Sequence, residues 1–153
     1  MLIRTAIRVG ETSAQQTRDD HISCGLSAAG ANHIFLPHGI RHQILSHVRR
    51  LGGMLTSTHS ANPISIQFSD SARMLELPSL FIVIQTQDGR EVQIAQLDPL
   101  DYMVPSEDAP HGFDIFFWST SKFVLTRRII ENLLIHIDYH NNRIGFADPL
   151  VEL

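Results

Sequence analysis

The chain has 153 residues, enough for one hydrophobic core and short for two, so residues 1–153 are expected to form a single domain. A formal net charge of -4, with only 12 lysines and arginines, leaves no basic footprint for a nucleic-acid backbone. No apolar run approaches the roughly 18 residues of a membrane-spanning helix. The single cysteine, Cys24, rules out an internal disulfide and points to a reducing, cytoplasmic setting, with a piece of a larger secreted protein as the alternative.

Strand patterns dominate. Ile3, Thr5, Ile7 and Val9 alternate with Leu2, Arg4, Ala6 and Arg8, as in a strand with one solvated face. Residues 11–20 are polar and turn-like, and Ile22 to Leu26 reads as a returning strand. Ala28 to Asn32 is a small-residue loop around Gly30, and Ile34-Phe35-Leu36 is an apolar run closed by Pro37. Ile40, Ile44, Val48 and Leu51 recur at helical spacing. Arg49 and Arg50 meet the negative end of that helix, and Gly52-Gly53 supply its stop.

Ile64 to Phe68 alternates again. Leu77 to Thr86 reads as an apolar strand, Asp88-Gly89 as a hairpin turn and Glu91 to Leu97 as its partner. Residues 98–112, with several prolines and acids, read as a long surface loop. Gly112 to Trp118 reads as a strand in which Phe117 opposes Phe116 and Trp118, so aromatics occupy both faces. With Phe113, these side chains are candidates for a partner interface. A short basic helix near Arg127 to Asn132 precedes a last hairpin. There Ile135 and Ile137, further candidates for the partner interface, alternate with His136, and His140-Asn141-Asn142 makes the turn, since Asn tolerates positive φ.

Chemical motifs are sparse. The nine histidines include no HExxH pattern and have no cysteine beside them, so no metal or other cofactor is expected. No GxSxG elbow frames a serine, nothing local activates Cys24, and no glycine-rich phosphate loop occurs.

Two segments nevertheless resemble one family. Residues 124–149, VLTRRIIENLLIHIDYHNNRIGFADP, are similar to the closing segment of pepsin-like aspartic proteases, most closely at Asn141 to Ala147. Residues 26–37, LSAAGANHIFLP, resemble the segment in which such proteases carry the catalytic Asp, with Gly30 and Leu36-Pro37 setting the register. The resemblance implies a mainly β, barrel-like single lobe with one clear and one short helix. It also implies that the former catalytic loop is Ala28, Ala29, Gly30 and Ala31, and that its paired loop carries Thr126 and Arg127 where the family has Gly and Asp.

An aspartic protease needs two carboxylates, one from each lobe, sharing a proton and holding the attacking water. Ala28 can do neither, so no enzymatic activity is expected. A lone lobe also leaves exposed the strands that the family shares between lobes. The expected role is therefore protein binding or assembly, in a homodimer or against a second protease-like lobe. The alternatives are an inactivated half of an aspartic endopeptidase and a non-catalytic peptide-binding cleft.

Overall fold

The computed structural model describes residues 4–10, 25–27, 33–58, 60–118, 124–131 and 133–147. The first strand, β1 (Arg4–Val9), buries Ile7 and Val9 as its alternation predicts. β2 (Gly25–Ser27) and β3 (Phe35–Pro37) follow. Pro37 then leads through a 3-10 turn, His38–Ile40, into α1 (Arg41–Arg50). Ile40, Ile44 and Val48 are buried, which is the helical face read from their spacing. The helix ends as expected of its glycines, but the two act differently. Gly52 takes the left-handed conformation at φ +78°, whereas a Cβ on Gly53 would lie 2.6 Å from Val48 and 2.8 Å from the Phe68 ring.

Next come β4 (Met54–Leu55) and β5 (Ile64–Gln67). A 3-10 helix over Ser71–Glu76 is begun by Asp70, whose carboxylate accepts the Ala72 N–H at 3.0 Å. β6 (Leu80–Gln85) and β7 (Glu91–Leu97) form the expected hairpin, with Gly89 at φ +82° in its turn. They are followed by α2 (Pro99–Tyr102), β8 (Val104–Pro105) and β9 (Gly112–Trp118). β10 (Val124–Thr126), α3 (Arg127–Ile130), β11 (Leu134–Asp138) and β12 (Arg143–Ala147) close the described chain.

The strands assemble into separate sheets. β1, β6 and β7 make an antiparallel three-stranded sheet. β9 is the centre of a five-stranded sheet, with β5 and then β4 on one side and β3 and β8 on the other. β2 pairs with β10 in parallel, and β11 with β12 as an antiparallel hairpin. One core joins the two larger sheets to α1. Ile7, Leu80 and Ile82 come from the first, Ile64, Ile66, Ile115 and Phe117 from the second, and Ile44 and Val48 from the helix.

The barrel-like, mainly β lobe is thus corrected to a mixed α/β fold of several open sheets, none closed into a barrel. The reason lies where the chain passes between the two larger sheets. It crosses from β5 to β6 through the 3-10 helix and returns from β7 to β8 through α2, so helical turns replace continuous strands at both crossings. Residues 98–112 are correspondingly not one long loop. Asp98 precedes α2, Pro99 opens it, and the Asp101 carboxylate accepts the Asp98 N–H at 2.8 Å. Tyr102 is buried and donates its hydroxyl to the Pro78 carbonyl at 2.8 Å, tying α2 to the segment before β6. Burial, chiefly, and then the charge of Asp98 push its phenol far up, so it stays a donor.

A side-chain amide completes the ladder on β9. Asn62 donates Nδ2 to the Phe117 carbonyl at 2.6 Å and accepts the Phe117 N–H on Oδ1 at 3.0 Å. This extends the β5 edge by one residue-equivalent without a strand. Removing either tie leaves a backbone group unpaired, so Tyr102→Phe and Asn62→Ala should each lower stability by about 1–3 kcal/mol. Urea denaturation should show a lower midpoint with an unchanged slope.

Candidate functional site

The two segments that resemble the protease family meet in the structure. β2 and β10 run side by side with Gly25 opposite Val124, Leu26 opposite Leu125 and Ser27 opposite Thr126. The chain therefore leaves this pair at adjacent points, into Ala28 on one strand and Arg127 on the other. Thr126 ends β10, and Arg127 begins α3, whose Ile129 is buried in the core. Ala28, Ala29, Gly30 and Ala31 lie outside the described residues, as does Cys24. By sequence, Ser27, Ala28, Thr126 and Arg127 include no carboxylate able to share a proton with a second one.

The acids elsewhere have structural work. Asp98 accepts hydrogen bonds from Ser79 at 2.6 Å and Gln96 at 3.0 Å, and the Ser79 bond, then the Gln96 bond, holds its carboxyl below the usual range. Asp88 is held low by Thr86 and then Arg90 across the β6–β7 turn, and the Arg90 contact is an ion pair at 2.6 Å. Asp114 sits within β9, in the stretch read as a strand, and is half-buried. Among the described residues, no group of three or more histidine, cysteine, aspartate or glutamate side chains could hold a metal ion. His38 and His42 are exposed, while half-buried His47 has its pKa lowered by burial and then by Arg50.

Aromatics on β9 divide between its two faces. Phe117 is buried in the core, and Phe113 packs against it partly exposed. Phe116 points to the opposite face, stacked on His33 at 4.7 Å and edge-on to Phe35 at 5.6 Å. Trp118 ends the strand, and its side chain lies outside the described part. The four therefore do not form one patch.

The β11–β12 hairpin offers a clearer surface. Ile135 opposes Phe146 and Ile137 opposes Ile144, which gathers four apolar side chains on one face. Leu134, His136 and Asp138, with Ala147, Gly145 and Arg143, form the other. On the first face Phe146 reaches the core, Ile135 and Ile144 are half-buried and Ile137 is exposed, while Leu134 on the other face is 55% exposed and Tyr139 beyond the strand 83%. Among the described residues, this sheet has only these two strands.

No helix of the described residues is long and apolar enough to cross a membrane. No protein-family model matches the chain, and no curated protein matches it.

The turn of this hairpin is organised by one carboxylate. Asp138 accepts N–H bonds from His140 and Asn141, each at 3.1 Å, and an Nδ2–H bond from Asn141 at 2.8 Å, while Asn142 takes φ +51°. The Asn141 side chain, then its backbone N–H, holds the Asp138 carboxyl below its ordinary range. Because the folded pKa is depressed, this stabilisation is present above the unfolded carboxylate pKa and is lost as pH falls through the folded one. Acidification should therefore lower the hydrogen-exchange protection factors of the His140 and Asn141 amides, each measured against its intrinsic rate at that pH. Asp138→Ala should show the same low protection already at pH 7.

Proposed function

We propose that the chain is a catalytically inactive protein-binding or assembly module, and that it buries the apolar face of the β11–β12 hairpin against a second copy of itself. The observation that carries this reading is the two-stranded hairpin with Ile135, Ile137 and Ile144 outside the core cluster. A lone hairpin is marginal in water, and it gains stability from further strands or from cover on its apolar face. A two-fold axis supplies both at once, since each copy presents the same patch to the other. The alanines at 28, 29 and 31 favour a role without chemistry.

Sedimentation at increasing concentration should reveal a reversible dimer, and Ile137→Asp should weaken it at least about tenfold while leaving the circular dichroism spectrum intact. A monomer persisting to about 100 µM would sink the homodimer.

A second reading is favoured by the Ser27–Thr126 pairing beside Ala28: an inactivated half of an aspartic endopeptidase that needs a second lobe. Under it, Ala28→Asp combined with the natural neighbouring lobe would produce acid-dependent peptide cleavage. No cleavage by that restored pair would remove this reading and leave the assembly reading intact.

A further inference from the structure

Buried polar atoms without hydrogen-bond partners are rare, and where they gather they point to something that completes them. The described residues include four such side-chain atoms, and three of them, His33 Nδ1, Asp114 Oδ1 and Ser106 Oγ, lie about one face of the five-stranded sheet. The placement follows from strand register. Asp114 and Phe116 share the face of β9 opposite buried Ile115 and Phe117. Val104 faces Asp114 across β8, and Ser106 follows two residues later, its N–H bonded to the Gly112 carbonyl at 2.9 Å. Ser106 Cβ lies 3.4 Å from where a Gly112 Cβ would stand, so its side chain is on the same face as Asp114. His33 reaches this face by stacking on Phe116, with 6° between the rings.

The chemistry of the three atoms is alike. A carboxylate oxygen, a hydroxyl oxygen and an imidazole nitrogen can all accept hydrogen bonds. They flank an aromatic wall of Phe116, Phe35 and His33. Their order along the face, Ser106 then Asp114 then His33, is wrong for a catalytic triad, in which histidine stands between the other two. The group that matches several acceptors beside aromatic rings is planar, cationic and donor-only. That group is a guanidinium, which bonds carboxylate through a fork of N–H groups and stacks on aromatic faces. Among the described residues, no ion pair to Asp114 is formed from within the chain.

We propose that this sheet face binds an arginine side chain presented by a polypeptide partner. Asp114 receives the guanidinium N–H groups, Ser106 and His33 accept further ones, and Phe116 forms the stacking wall. All three atoms are covered in the free chain, so binding requires Asp114, Ser106 and His33 each to turn toward the entering ligand. This site is separate from the β11–β12 hairpin and does not depend on how that hairpin is covered.

The test is a solution NMR titration of the whole chain with the capped peptide acetyl-Gly-Arg-Gly-amide, alongside its lysine and citrulline counterparts. The arginine peptide should shift the ring signals of His33 and Phe116 and the amide of Asp114, more strongly than either counterpart. Asp114→Asn, nearly isosteric, should weaken binding at least about tenfold. Phe116→Leu provides a second variant and should weaken it severalfold. Equal shifts from the citrulline peptide, unchanged binding in the variants, or no shifts up to about 10 mM peptide would overturn the proposal. A water bridging Asp114 and Ser106 that arginine does not displace would overturn it too. The Ile137→Asp chain should give the same arginine shifts, which separates this result from the hairpin's.

Discussion

The pairing of β9 is the constraint on which most of the fold rests. Its residues meet β5 along one edge and β8 and then β3 along the other, so three stretches of chain are aligned on one strand, and β3 and β5 reach it from far away in sequence. The inward residues Ile115 and Phe117 are almost fully buried and form the floor on which α1 and the first sheet pack. Where β5 stops, the Asn62 amide takes over its hydrogen bonds to Phe117. A side-chain amide has the same donor and acceptor pair as a peptide group, so the ladder continues without the backbone having to follow. The same alternation that buries Ile115 and Phe117 leaves Asp114 and Phe116 together on the other side.

Local signals in the sequence survived into the structure where one short segment decided the outcome. The α1 face, the Asp88-Gly89 hairpin and the Asn142 turn each depend on residues within a turn of one another, and each forms as read. The start of α2 was equally local: Asp98, Pro99 and Asp101 are a helix-opening set. In the sequence that signal was outweighed by the prolines and acids around it. Barrel closure is a different kind of property. It depends on which strand edges meet, and neither periodicity nor turn chemistry within a segment encodes that. The half-burial of Asp114 was hidden for the same reason, because its depth comes from β8 and β5 on either side.

The candidate surfaces differ in how they arise. The hairpin patch comes from too few strands to cover an apolar face, a matter of area. The Asp114 face comes from polar atoms whose hydrogen bonds are unmade, a matter of pairing. A partner on the first would be recognised largely by shape and apolar contact. One on the second would be recognised by the direction of its N–H groups.

The parallel pairing of β2 with β10 also has a temporal consequence. Gly25 waits for Val124, on the order of a hundred residues later in the chain, before its strand has a partner. Such long-range pairings pay a large loop-closure entropy and form slowly. During synthesis the β2–β10 pairing waits until most of the chain has left the ribosome. A chain cut short before β10 would therefore lack this pairing while retaining the segments that build the central sheet.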